Sequence, residues 1–197
     1  TILIEPGAMS RMSSNLNSSF QRQGGFFSAM FRKMFGGENF FLGKYEHPDG
    51  GKLTFAPSIP GHVEHRQLTN NSLNIMAGGF LACTPGVNIK AKFGGLKALF
   101  SGEGAFLLEA SGSGDLFFNS FGGIVEKEIN GEFIVDTGHV VAFDPSLDYK
   151  ITGMGSFKST MLSGEGMVMR FSGNGKLYLQ TRNVSSIASW LTPRLLG

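Results

Sequence analysis

Glu38, Glu103 and Glu165 each follow a glycine and stand 65 and then 62 residues apart in a chain of 197. If the segments carrying them surround an axis, the three carboxylates converge, and oxygen ligands of that kind suit a hard cation such as Ca²⁺. The plainer chemistry is local. A carboxylate beside a glycine accepts backbone N–H bonds within its own turn and fixes the entry to the next strand. The turn reading is favoured, because three isolated carboxylates lack the dense ligand spacing of a dedicated cation site. His62-Val63-Glu64-His65 is the tightest His/Glu cluster. On a strand His62 and Glu64 share one face and His65 points to the other. A cupin-type site needs His-x-His with a later Glu and His, and that spacing is absent, so no metal is expected here. His139 lies among apolar residues and reads as a hydrogen-bonded structural histidine. Cys83 closes the apolar run Phe80-Leu81-Ala82-Cys83 with no basic neighbour and reads as a small hydrophobe. No serine stands in Gly-x-Ser-x-Gly, and no Gly-x-x-x-x-Gly-Lys-Ser/Thr phosphate loop occurs. No catalytic constellation and no cofactor are therefore expected.

The elements that position these residues echo three times. Gly37-Glu38-Asn39-Phe40-Phe41 is followed by Gly51-Lys52-Leu53-Thr54-Phe55. Ser101-Gly102-Glu103-Gly104 is followed by Gly114-Asp115-Leu116-Phe117-Phe118, and Ser163-Gly164-Glu165-Gly166 by Gly175-Lys176-Leu177-Tyr178-Leu179. An apolar stretch after glycine precedes each: Pro6-Gly7-Ala8-Met9, Gly78-Gly79-Phe80-Leu81-Ala82 and Thr137-Gly138-His139-Val140-Val141-Ala142. Leu53/Phe55, Leu116/Phe118 and Leu177/Leu179 alternate with the period of a strand. Glu132-Phe133-Ile134-Val135-Asp136 and Lys150-Ile151-Thr152 carry strand-forming residues. Ser111-Gly112-Ser113-Gly114 and Ser172-Gly173-Asn174-Gly175 read as tight hairpin turns. The expected fold is all-β, a double-stranded β-helix or β-sandwich of three pseudo-repeats of about 60 residues. Residues 1–183 form the expected all-β domain. Residues 184–197 form a helical tail, with Ile187, Trp190, Leu191 and Leu195 at helical spacing and Pro193 as an interruption. That tail either packs on the sheet or joins a neighbouring subunit.

Composition narrows the class. A net charge of +2 gives no reason to expect nucleic acid, and 19 phenylalanines supply rings for a β core or for contacts. One cysteine permits no internal disulfide. No run approaches the ~20 apolar residues of a membrane span, and no secretory signal is visible, so a cytoplasmic location, peripheral to a membrane, is expected.

Several motifs in order resemble a known family. They are Glu5-Pro6-Gly7-Ala8-Met9, Gly36-Gly37-Glu38-Asn39-Phe40-Phe41-Leu42, Phe55-Ala56-Pro57-Ser58-Ile59-Pro60-Gly61, Asp136 to Phe143, Gly164-Glu165-Gly166 and Gly173 to Arg182. The chain resembles, over roughly residues 2–183, the prokaryotic group of unknown function that also includes altered inheritance of mitochondria protein 24. The resemblance implies an all-β fold similar to the tryptophan RNA-binding attenuation protein. It also implies a tie to inner-membrane organisation in the mitochondrial members. It carries over no catalytic residue, and fold likeness alone does not carry over RNA binding. The chain departs from the family pattern at Arg11 and in the Ser/Asn-rich stretch Ser13 to Ser19, which reads as a loop.

One further pattern points to contacts. In Gly24 to Gly36, Phe27, Met30, Phe31 and Met34 share a helical stripe beside Arg32 and Lys33. Gly95 to Phe100 and Ser156 to Leu162, with Lys97 and Lys158, stand at the same point before the other two Gly-Glu motifs. These segments either cap the β core or form an apolar-basic rim. The leading functional expectation is a non-enzymatic, homo-oligomeric assembly or scaffold protein. It would meet a membrane surface or partner protein through Phe27, Phe31, Arg32, Lys33, Lys97 and Lys158. The alternative is a small-ligand or metal-binding β module using Glu38, Glu103 and Glu165, or His62 and Glu64. RNA binding ranks last, since basic-aromatic stripes are absent.

Overall fold

The computed structural model describes residues 1–22, 41–93, 106–153 and 167–195. The described residues form strands β1 (Ile2–Ile4), β2 (Met9–Met12), β3 (Asn17–Arg22), β4 (Phe41–Glu46), β5 (Leu53–Phe55), β6 (Val63–Met76) and β7 (Phe80–Cys83). They continue with β8 (Val87–Phe93), β9 (Phe106–Asn119), β10 (Ile124–Asp136), β11 (Val140–Phe143), β12 (Leu147–Gly153) and β13 (Met167–Gln180), and end in helix α1 (Val184–Leu195). The fold is all-β with a C-terminal helix, as the alternation of Leu and Phe predicts. One large sheet runs β10-β13-β11-β6-β9-β7-β1-β4-β3, with β8 and β12 branching from β9 and β13; β2 and β5 form a separate pair. Every named strand pair is antiparallel.

Two long strands organise the sheet, and each changes partner along its length. β9 pairs with β6 from Leu107 to Asn119 on one side. On its other side it pairs with β8 from Phe106 to Gly112, then with β7 from Leu116 to Phe118. β13 likewise keeps β10 on one side while passing from β12 to β11 on the other. The exchange falls at Ser111-Gly112-Ser113-Gly114 and at Ser172-Gly173-Asn174-Gly175. These segments lie inside 14-residue strands and are not the hairpin turns that their composition suggests. Their glycines serve a bend and a close approach instead. Gly112, Gly114 and Gly173 take φ of 122°, 148° and 115°, a range that disfavours side chains. The corner between β7 and β8 lies on the first bend so closely that a Cβ at Gly86 would collide with the Ser113 carbonyl oxygen.

Hydrogen bonds pin both corners. The Asp115 N–H donates to Thr84 Oγ1 at 2.8 Å, and the Thr84 N–H donates to the Asp115 carbonyl at 2.9 Å. At the second corner the Lys176 N–H donates to Asp144 Oδ2 at 2.9 Å, and the Asp144 N–H donates to the Lys176 carbonyl, also at 2.9 Å. Arg66 Nη1 donates to Asp144 Oδ1 at 2.8 Å, tying β6 to the same corner.

Strands β7 and β11 are buried at every position, which their unbroken apolar runs require. Phe118, Phe143 and Phe171 are among the largest fully buried side chains, and Phe143 meets Phe171 and Tyr149 edge-on at 5.0 and 5.3 Å. Three differences from the sequence expectation are local. Pro6-Gly7-Ala8-Met9 leads into β2, which is exposed throughout; the buried strand before it is β1. The Ser13–Ser19 stretch is a loop only to Leu16, because Asn17 onward pairs with β4, and an edge strand tolerates polar side chains facing water. Helix α1 also runs through Pro193. Near the C-terminus, side chains cover its carbonyls: Thr192 Oγ1 donates to the Ala188 carbonyl at 2.8 Å, and Arg194 donates to that of Trp190.

The close corner generates a stability test. Gly86→Ala should cost about 2–3 kcal/mol in urea unfolding, since the added methyl must displace backbone. Gly123→Ala, whose Cβ would meet Thr181 at an ordinary 3.5 Å, should stay within about 0.5 kcal/mol.

Candidate functional site

The ends of β6, β9 and β13, the starts of β7 and β11, and the residue after β1 converge on a cleft of about 310 Å³. Its walls are mixed. Ile59, Met76, Val140, Val141 and Val184 supply apolar surface, while Glu5, Asn119 and Gln180 supply polar groups. Gln180 is fixed at both ends of its amide: Oε1 accepts from the Phe121 N–H at 2.8 Å, and Nε2 donates to the Gly138 carbonyl at 2.7 Å. His139 Nδ1 donates to the Gln180 carbonyl at 2.8 Å, so this histidine is structural, as its apolar setting suggests.

Asn119 and Glu5 are less satisfied. Asn119 is 3% exposed, and its Nδ2 donates to the Gly78 carbonyl at 3.5 Å. Its Oδ1 is buried without a partner among the described residues. Such an acceptor costs about 1–3 kcal/mol unless something donates to it. Glu5 directly follows buried β1 and precedes Pro6, as Thr84 follows β7 before Pro85 and Asp144 follows β11 before Pro145. Thr84 and Asp144 use a side-chain oxygen to accept a backbone N–H of the neighbouring long strand. The Glu5 carboxyl has no such bond among the described residues and faces the cleft, where burial pushes its pKa up to about 7.

The residues singled out by sequence fall elsewhere. Glu38, Glu103, Glu165, Phe27, Phe31, Arg32, Lys33, Lys97 and Lys158 all lie outside the described residues. The described strands pair up to the edges of the segments that hold them, at Arg22 with Phe41, Phe93 with Phe106, and Gly153 with Met167. The His62 cluster does not assemble. His62 Nε2 lies 3.4 Å from Glu64 Oε2, but His65 turns to Asp115 Oδ1 at 2.9 Å and stacks on Phe117. No group of three or more metal-ligating side chains occurs among the described residues. Burial pushes the Cys83 thiol up to about 12, so it stays protonated at neutral pH and packs as a hydrophobe.

A second feature adjoins the cleft. Asn183 caps α1, its Oδ1 accepting from the Ser185 and Ser186 N–H groups at 2.9 and 3.3 Å. The helix beyond has no buried residue. Val184, Ile187, Leu191 and Leu195 form one exposed apolar stripe, with Trp190 at its flank, 57% exposed, and Arg194 over its ring. No helix among the described residues is long and apolar enough to cross a membrane.

An all-β chain whose strand ends frame one mixed cleft, with an exposed C-terminal helix, is the class that the fold and the site define. The family model described as mitochondrial biogenesis AIM24 matches residues 1–182, and the chain belongs to that family. It is 32% identical over 183 residues to an uncharacterized protein of Streptococcus pyogenes serotype M6, covering 91% of this chain and 74% of that one. It also resembles an X-ray structure of a Streptococcus pyogenes protein from a structural genomics consortium. That likeness has a TM-score of 0.81 and 29% identity, over 98% of this chain and 88% of the other.

Sequence reasoning missed Glu5 as a site residue, although the recurrence of Glu5-Pro6, Thr84-Pro85 and Asp144-Pro145 after apolar runs was visible. Nothing local marks Asn119. The raised Glu5 pKa has a definite sign. Between about pH 4.5 and 7 the unfolded chain loses the Glu5 proton while the folded chain keeps it, so this group lowers stability as pH rises, and the loss levels off above 7. Glu5→Gln should therefore stabilise the protein at pH 8 by on the order of 1–2 kcal/mol after allowance for solvent screening, and by much less at pH 4. Urea unfolding at the two pH values reads this directly.

Proposed function

We propose that this chain is a non-enzymatic assembly protein with two contact surfaces, helix α1 and the apolar-basic segments. The observation that carries the reading is the bare helix α1. Its apolar residues recur at i, i+3, i+7 and i+11, and Arg194 is its one charged side chain. That spacing makes one apolar stripe along the helix, and a helix so poor in charge suits a second apolar helix better than a charged lipid surface. The occupant we assign is α1 of a second copy of this chain. The helix follows the end of β13, whereas residues 94–105 and 154–166 precede the starts of β9 and β13. Of the apolar-basic segments, those with Lys97 and Lys158 precede β9 and β13 in sequence, and the one with Phe27, Phe31, Arg32 and Lys33 falls between β3 and β4. We assign these segments to a membrane surface or membrane-associated partner. A protein that pairs through one surface and docks through another is a scaffold.

Trp190, the chain's one tryptophan, reports on the seam. Raising the protein concentration should shift its emission to the blue as the mass measured by light scattering doubles. Ile187→Ser with Leu191→Ser should leave a monomer with red, concentration-independent emission. A parent protein that stays monomeric with red emission at high concentration would contradict the pairing. In a separate flotation assay, anionic vesicles should carry the parent at low salt and release it as salt rises. Phe27→Ser with Phe31→Ser should not float, and unchanged flotation of that variant would remove the membrane-facing half of the reading.

A further inference from the structure

We infer that β2 is a docking edge for strand β10 of a second copy of this chain, with Met12 opposite Ile134 and Arg11 opposite Val135. One kind of pairing occurs three times in the fold. β2 meets β5, β7 meets β9 and β11 meets β13, each with one register shift, between Met9 and Arg11, Phe80 and Ala82, and Val140 and Ala142. The corner after each short strand is pinned alike. The Lys52 N–H donates to Ser13 Oγ at 2.8 Å and the Ser13 N–H to the Lys52 carbonyl at 2.8 Å, as Thr84 does with Asp115 and Asp144 with Lys176. The outer edges of the short strands differ. β7 carries β1 there, with Ala82 opposite Ile4 and Cys83 opposite Leu3. β11 carries β6, with Ala142 opposite Ile75 and Phe143 opposite Asn74. β2 carries no strand among the described residues, and all of its side chains are exposed.

The strand that fits this edge follows from the other two. Ile4, Ile75 and Val135 stand opposite the third residue of β4, β9 and β13, and Leu3, Asn74 and Ile134 stand opposite the fourth. β1 and β6 present those residues to β7 and β11. β10 ends the large sheet and presents Ile134 and Val135 to no strand among the described residues. Within one chain β2 and β10 lie in separate sheets and do not pair, so a second copy supplies the strand. The side chains agree. Where the pairing is made, Leu3, Cys83, Asn74 and Phe143 are all buried; Met12 and Ile134 are 40% and 46% exposed. Set opposite each other, they cover one another as apolar cross-strand pairs do. Charge selects the same partner. β2 carries Arg11 as its one charged residue, whereas β10 carries Glu126, Glu128, Glu132 and Asp136 against Lys127. Two β10 edges side by side would set carboxylate against carboxylate, and β10 on β2 sets acid against base. Main-chain hydrogen bonds along both free edges hold the joint, as in other strand additions. The contact is head-to-tail, so repeating it builds rings or filaments. It goes beyond the pairing through α1 and does not depend on it.

The test uses the full chain carrying Ile187→Ser and Leu191→Ser, which removes helix pairing, and adds Met12→Cys to one preparation and Ile134→Cys to a second, ¹⁵N-labelled one. The native Cys83 is buried and stays out of exchange. In a glutathione redox buffer the mixture should form a disulfide between one labelled and one unlabelled chain, read by mass spectrometry, because opposite residues on paired strands bring their Cβ atoms within bonding reach. Each variant alone should give about tenfold less linked dimer, and so should Met12→Cys mixed with Glu132→Cys, which stands two residues out of register. Met12, Glu132 and Ile134 are all exposed, so these substitutions leave the core intact. No linkage above that background would overturn the proposal, as would equal linkage through Glu132→Cys. A disulfide closing within one chain, in a dilute variant carrying both Met12→Cys and Ile134→Cys, would overturn it too. Helix pairing is removed throughout, so none of these outcomes bears on α1, which is read separately by mass and by Trp190 emission.

Discussion

The fold depends on two places where a corner of chain lies directly on a bent strand. β9 and β13 each run 14 residues, longer than one partner strand covers, and each must hand its free side from one strand to the next. The exchange works only if the strand bends and the connecting corner sits close over the bend. Glycine permits both, through positive φ at Gly112, Gly114 and Gly173 and through the missing Cβ at Gly86. Thr84 and Asp144 then lock each corner with a hydrogen bond to the strand beneath. Apolar burial supplies the driving force, but these contacts decide which strand lies beside which.

That arrangement also makes the site. Because β9 and β13 are held through their bends, their last residues, Asn119 and Gln180, arrive at the same place as Gly78, Gly79 and Val140. Polar groups meet there without fully satisfying one another. Gln180 finds partners for both ends of its amide, whereas Asn119 keeps one oxygen free and Glu5 is left half-buried with its charge disfavoured. The bare helix beyond Asn183 poses the same kind of question on a larger scale, since the single chain leaves its apolar stripe uncovered.

Much of this was legible in the residues. The alternation of Leu116 with Phe118, and the unbroken run from Phe80 to Cys83, identify a strand with one fully buried face and a strand buried throughout, because side-chain period and burial are local properties. The helical spacing from Ile187 to Leu195 is local too. The bends at Gly112 and Gly173 read as hairpin turns from sequence, since Ser-Gly-x-Gly has the same composition in a turn and in a bent strand; what differs is the chain lying on top, which is tertiary. The cleft was invisible for the same reason. Glu5, Asn119 and Gln180 are separated by most of the sequence, and nothing near Asn119 announces that its oxygen will be buried alone. The carboxylates and cations at Glu38, Glu103, Glu165, Lys97 and Lys158 remain sequence-level assignments.

The most direct test of the central claim is native-state hydrogen exchange at the Asp115 and Lys176 amides, which donate to Thr84 Oγ1 and Asp144 Oδ2. If the corners hold the long strands in their bends, both amides should exchange only through global unfolding, with the protection of the core amide of Phe118. Fast exchange at Asp115 and Lys176 while Phe118 stays protected would show that the corners open on their own, and the convergence of strand ends would then need another cause.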